Sequence, residues 1–158
     1  MSKRLASFVV SGDDVKVVVA QVPANPNDPI SIEYDQTWKL QSGDREPALC
    51  MLHQRCASFL KEKQVAAVLM KASAASPLAK VTLALLHSAE VRGVVIAAAA
   101  SVTAVKTMAK NVISRTYGER NVDAYVKDDS FWTAQTTGGK LRAGSREAAM
   151  LIVASRKA

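Results

Sequence analysis

Lys71 closes the strand-like run Val65-Ala66-Ala67-Val68-Leu69-Met70, and no acid stands near it. An ammonium at the carboxyl end of a buried strand can attract an anion such as a phosphate. The competing structural reading is a lysine whose stem covers apolar surface while its head reaches water. A second basic group lies further along. Lys140, Arg142 and Arg146 surround Gly138, Gly139 and Gly144 and lead into a helix N-terminus, where free N–H groups and the helix dipole favour an anion. Trp132 nearby offers a platform on which a base would stack, or else folds onto the core. Thr137-Gly138-Gly139-Lys140 is not a nucleotide-hydrolysing loop, because Ala134 and Leu141 stand where such a loop needs Gly and a hydroxyl residue.

Cys50-x-x-His53-x-x-Cys56 sets three ligand-type residues at successive i+3 steps on one helix. Each step turns about 60° around the axis, so the outer two diverge, and zinc requires four converging ligands. Cys56 therefore reads as core and His53 as surface. The two cysteines lie about 9 Å apart along such a helix, too far for a disulfide. His87 has no acid near it in sequence and reads as structural.

The 158 residues suffice for one domain spanning 1–158. Aromatic residues make up only 5%, so Ala and Val carry the core. The net charge of +7 makes a polyanionic partner worth testing. That charge is uneven. Residues 1–100 hold 11 Lys and Arg against 9 Asp and Glu, whereas residues 101–158 hold 10 against 5. An anion-binding surface should thus draw mainly on the C-terminal third. No apolar leader follows Met1, and the longest apolar stretch, Val94 to Ala100, falls short of a membrane span. These features predict a soluble, cytoplasmic protein with no membrane contact.

The elements that must position these residues follow from periodicity. Leu5–Val10 and Val15–Val22 read as strands joined by the turn Ser11-Gly12-Asp13-Asp14. A proline-rich loop follows. Ile30, Ile32 and Tyr34 then alternate with polar residues as a third strand with one buried face, extended by Trp38 and Leu40. From Pro47, the residues Leu49, Leu52, Cys56, Phe59 and Leu60 keep helical spacing. Val65–Met70 is a fourth strand, apolar enough for burial on both faces. Ser76-Pro77 opens a helix with Leu78, Val81, Leu85 and Ala89 inward, and Gly93–Ala98 is a fifth strand. Ser101 caps a third helix with Val102, Val105, Met108, Ala109, Val112 and Ile113 as its stripe. Lys106 and Lys110 lie one turn apart on its outer face, and Gly118 stops it. Val122–Val126 reads as a short strand, residues 127–144 as a polar loop, and Ser145 opens a last helix with Ala149, Met150, Ile152 and Val153 inward. Leaving aside the short Val122–Val126 segment, the order β-β-β-α-β-α-β-α followed by the last helix predicts an α/β fold, a mixed five-stranded sheet with helices on both faces.

The hairpin Phe8 to Val17, the long helix before Val65–Met70, the helix at 77–90 and the strand at Val94–Ala98 together resemble the RNase-H-like superfamily. The likeness is to its Holliday-junction-resolvase branch and related small bacterial proteins, and it covers most of residues 4–117. The resemblance implies a set of carboxylates holding divalent metal ions: one on the first strand, one near the end of the fourth, and one or two on or before the last helix. Carried over by position, the first falls near Ser7 or Val9 and the second near Lys71 or Ala72. Only Glu147 stands where an acid is expected. Asp13 and Asp14 read as turn formers.

One acid does not hold a metal pair. The expectation is a non-catalytic nucleic-acid-binding module without a metal cofactor, a pseudoenzyme with DNA or RNA as partner. Lys71, Lys106, Lys110, Lys140, Arg142 and Arg146 would contact phosphates, and Glu147 would be a vestige of the metal site. Two other readings stand beside it: an oligomeric or protein-binding scaffold built on the Ala/Val surfaces, and a metal-dependent nuclease with displaced acids. A Lys71–Glu147 ion pair would fill the vacated site with a structural bridge and argue against both cutting and phosphate binding there.

Overall fold

The computed structural model describes residues 1–73, 78–117 and 120–156. Its elements are β1 (Lys3–Ser11), β2 (Asp14–Val22), β3 (Ile30–Lys39), α1 (Arg45–Lys63), β4 (Ala67–Lys71), α2 (Leu83–Ala100), β5 (Ala104–Met108), α3 (Lys110–Tyr117), α4 (Val122–Val126), α5 (Asp129–Gln135), β6 (Thr136–Thr137) and α6 (Arg146–Ser155). A single 3₁₀ turn, Ala143–Ser145, precedes α6. The mixed sheet has six strands in the order β5-β4-β1-β2-β3-β6, one more than expected because β6 pairs with the start of β3. The β1–β2 hairpin turns through Gly12 at φ +59°, and from there β1 pairs parallel with β4, and β4 with β5.

The sheet separates two apolar layers. On one side Phe8, Val17, Val19, Trp38, Val68 and Met70 pack under α1 and α2. On the other, Leu5, Val9, Val18 and Leu69 pack under α6, which is buried all round from Ala148 to Ala154 and not only at the expected Ala149, Met150, Ile152 and Val153. β4 is buried on both faces, as its unbroken apolar run requires.

A bulge in β3 decides what faces α6. Val19 pairs with Tyr34 but Ala20 with Ile32, so Glu33 is the extra residue. Ile30 and Ile32 lie in the α6 layer, and past the bulge Tyr34 and Trp38 pack on the α1 side. The expected single buried face for Ile30, Ile32 and Tyr34 is thereby corrected, and Asp35 and Thr37 are turned toward α6.

The second half of the chain departs further. Gly93–Ala98 is the C-terminal half of α2, not a strand, and the fifth strand is Ala104–Met108. An alanine-rich apolar run fits either state by pattern, and here Val91, Val95, Ala98 and Ala99 bury one helical stripe. Ser101 ends that helix, its hydroxyl donating to the Ala98 carbonyl at 2.7 Å. The stripe expected from Val102 to Ile113 is divided between β5 and α3, so Lys106 and Lys110 belong to different elements. Val81 and Leu85 are exposed rather than inward, at 73% and 48%. Val122–Val126 is helical, and residues 127–144 contain α5 and β6. The cap at Ser76-Pro77 and the stop at Gly118 lie outside the described residues. By length and composition α2 could cross a membrane, although the sequence reading found no such stretch.

Candidate nucleic-acid interface

Strand alternation places Ser7, Val9, Lys16 and Lys71 on the α6 face of the sheet, in line with Leu5, Val18 and Leu69. Ser7 is fully buried, and its hydroxyl has no hydrogen-bond partner among the described residues. Val9 is core. At the end of β4 the Lys71 ammonium donates to Glu147 Oε1 at 2.6 Å, across from the first turn of α6. Both side chains are about one-third exposed, at 37% and 31%. The strand end is fixed by its backbone: the Lys71 carbonyl accepts from Arg92 at 2.9 Å, and the Ala72 amide donates to the Met108 carbonyl at 2.8 Å. Lys71 and Glu147 therefore meet in one site as an ion pair, and no cluster of three His, Cys, Asp or Glu able to hold a metal occurs among the described residues.

Lys16 is a cation the sequence reading missed. It pairs across the hairpin with Val9, and Phe8 pairs with Met70, so Lys16 and Lys71 flank Val9 on the same face. An ideal Cβ on Gly144 would lie 3.4 Å from the Lys16 ammonium, which places that ammonium against the turn leading into α6. Lys16 is half-buried and makes no ion pair with the described residues. Its signal was a lone lysine in the apolar run from Val15 to Val22. Only the tertiary packing of the Ala143–Ser145 turn shows what it faces.

Beyond Lys16 the same row continues to Thr37 and Asp35 of β3. Arg142 grips Asp35 through its guanidinium at 2.7 Å and its amide at 3.2 Å, and reaches Thr37 at 3.1 Å. The Ser145 hydroxyl also donates to Asp35, which is why it does not cap α6. Burial pushes the Asp35 carboxyl up, but the Arg142 and Ser145 donors outweigh it and hold it below the usual range. A lowered folded value means that Asp35 stabilises the fold above the ordinary carboxylate range, and that this contribution is lost as pH falls through the folded value. In thermal melts between pH 3 and 7, Asp35→Asn should therefore show a flatter acid limb than wild type.

The other sequence candidates divide. Arg146 is only 7% exposed, donating to the Val126 carbonyl at 3.0 Å and to Asp129 at 2.6 Å, so burial removes it from any phosphate surface. Trp132 is 3% exposed, its indole N–H bonded to the Tyr125 carbonyl at 2.9 Å, so it is core and not a stacking platform. Lys110 is paired with Asp123 at 3.0 Å. Lys106, on the α6 face of β5, and Lys140, at the rim of a cavity of about 390 Å³ beside Arg146 and Thr136, are exposed and make no ion pair with the described residues. Gly138, at φ +85°, lets the chain cross β3, where a Cβ would come within 2.7 Å of the Ile32 carbonyl. Cys56 is fully buried, and burial pushes its thiol up to about 12, so it is inert. Asp13 is held by Arg45 at 3.0 Å.

The architecture has counterparts among solved structures. Thermus thermophilus RuvC superposes with a TM-score of 0.72 at 11% identity, covering 96% of this chain and 92% of RuvC. The same enzyme in complex with a Holliday junction substrate gives 0.71 at 10% identity, covering 96% and 91%. The yeast mitochondrial Holliday junction resolvase Ydc2 gives 0.68 at 9% identity, covering 98% of this chain and 79% of Ydc2. The chain thus shares the RNase-H-like fold of these structures. No family model and no curated protein sequence matches the chain.

Proposed function

We propose that this chain is a non-catalytic nucleic-acid-binding module on the RNase-H-like fold, whose metal site has been replaced by ammonium groups. The Lys71–Glu147 ion pair at the end of β4, beside a buried Ser7 and an apolar Val9, supports the non-catalytic half of the reading and, while closed, withholds Lys71 from phosphate. The nucleic-acid half rests on Lys16, a half-buried cation of the same face that makes no ion pair with the described residues. An ammonium in that position repels a divalent cation and neutralises the one acid that remains. Phosphate contact then falls to the cations left without an acid. Among the candidate cations these are Lys16, Lys106 and Lys140, which make no ion pair with the described residues, with Lys71 and Arg142 held back by Glu147 and Asp35. The RuvC structure with a Holliday junction makes branched DNA the first substrate to try. Binding of a labelled four-way junction or duplex should weaken as salt rises, each phosphate contact contributing about one unit of slope. Affinity indifferent to salt would refute the reading.

A second reading, self-association, is favoured by α2. Leu83, Leu86, Glu90, Gly93, Ala97 and Ala100 alternate three and four residues apart along its exposed face. Leu83 and Leu86 are 67% and 50% exposed, and a Cβ at Gly93 would touch nothing. Against an antiparallel copy of itself, this stripe sets Leu83 opposite Ala100, Leu86 opposite Ala97 and Glu90 opposite Gly93, large against small throughout. Such a seam matches the spacing of helix pairs. Light scattering should then give twice the monomer mass for wild type and the monomer mass for Leu86→Glu. A wild-type monomer at high concentration would end this reading.

A further inference from the structure

We infer that Lys16 and Lys71 form one anion seat across Val9, and that Glu147 occupies the Lys71 half of it as an internal stand-in for a phosphate. This deepens the nucleic-acid reading above and rests on it. The strand order places Lys71 and Lys16 on the two neighbours of β1, one on each side of the same residue. Two inter-strand spacings separate their Cα atoms by about 10 Å. Two four-carbon stems rising from the same face span that gap, so both ammoniums can converge on a single tetrahedral anion. The groups over the seat come from the 3₁₀ turn and the first turn of α6: Gly144 against the Lys16 ammonium, and Glu147 against Lys71.

Of the other charged neighbours, Arg92 donates to the Lys71 backbone carbonyl from α2. Arg142 is bound to Asp35, and Arg146 turns away to Asp129. The seat holds two cations and one carboxylate, and the surplus charge lies on Lys16. Glu147 is one-third exposed, so its carboxylate can swing out and leave Lys71 to an incoming phosphodiester oxygen. A Cβ at Gly144 would lie in van der Waals contact with the Lys16 ammonium, so the turn closes directly over that end of the seat.

The test titrates a labelled DNA duplex and, separately, inorganic phosphate as competitor, with wild type, Glu147→Gln, Lys16→Gln and the double variant Glu147→Gln/Lys71→Gln. Glu147→Gln should bind DNA about fivefold more tightly, with a salt slope steeper by about one. Lys16→Gln should bind about fivefold more weakly with a shallower slope, and Lys16→Arg should restore it. The double variant should lose the gain. Competition by free phosphate at millimolar levels would mean that the seat accepts inorganic phosphate as well as the diester, and indifference to it that the seat needs the nucleic-acid backbone; both agree with the seat. Unchanged affinity in Glu147→Gln and Lys16→Gln, with wild type still binding, would overturn the seat and leave the broader reading intact. If wild type binds no DNA, both fall. Melting curves of each variant confirm that the protein compared is folded.

Discussion

Arg146→Ala should cost about 3 kcal/mol of unfolding free energy, because truncating a buried arginine removes the donor of the Val126 carbonyl and opens a cavity. For a chain of 158 residues that corresponds to a fall in melting temperature of roughly 6–12 °C. The side chain is 92% buried, and its guanidinium ties the carbonyl closing α4 and the exposed acid opening α5 to the N-terminus of α6. Without it, the Val126 carbonyl loses its donor and a cavity opens beside Trp132. Lys140→Ala, on the exposed rim of the same cavity, should stay within about 0.5 kcal/mol of wild type. Nucleic-acid affinity should move in the opposite pattern, falling for Lys140→Ala and holding for Arg146→Ala at temperatures where it is folded. A folded Arg146→Ala with unchanged melting and lost affinity would return this residue to the phosphate surface.

Lys71→Glu should have the second largest effect, and it addresses the metal site directly. It sets two carboxylates face to face where an ion pair now stands at 2.6 Å. Both positions are about one-third exposed, so the repulsion is softened by solvent, and the loss should be about 1–2 kcal/mol at neutral pH. A carboxylate beside another holds its proton to higher pH, so the loss should shrink as pH falls through the pair's range. Millimolar Mn²⁺ should raise the melting temperature of Lys71→Glu and leave wild type unmoved, because oxygen ligands then face each other across a site the fold already frames. A variant that ignores Mn²⁺ would mean that Glu147 is not the remnant of a cation site.

The reach of the sequence was uneven for physical reasons. The first three strands, α1 and β4 were legible because each carries a turn, a proline or a clean period. The bulge at Glu33 was not, since one extra residue reverses the face of everything after it without changing composition. Asp35 and Thr37 reached the α6 face only through that slip. The run Val94–Ala98 was misread because alanine and valine without polar punctuation fit a buried strand and a buried helix alike. Moving the fifth strand to Ala104–Met108 separated Lys106 from Lys110 and dissolved the basic helix face they were to form. At the site, Lys71 and Glu147 were both identifiable by position, and their pairing was foreseen as the alternative to phosphate binding. Lys16 was invisible because nothing local shows that a turn 128 residues later passes over it. The basic cluster Lys140, Arg142 and Arg146 looked uniform in sequence, yet its members are exposed, paired and buried respectively. Only the acids at Asp35 and Asp129 decide which.

The ion pair changes what a basic protein with this fold is expected to do. With Glu147 engaged, the net charge near β4 is close to balanced, and binding rests on fewer cations than the composition suggests. Affinity should therefore be modest, with a shallow salt slope of two to three units if about three phosphates are contacted.

The most direct measurement is a titration of labelled four-way junction and duplex DNA with wild-type protein in chelator and in Mg²⁺ or Mn²⁺, across a salt series, with the products run on a denaturing gel. The expected result is no gain of affinity from metal beyond the weakening that its ionic competition causes, a linear fall of log affinity with log salt, and intact strands throughout. Metal-dependent cleavage that disappears in Glu147→Gln, or an absence of salt-dependent binding, would contradict it.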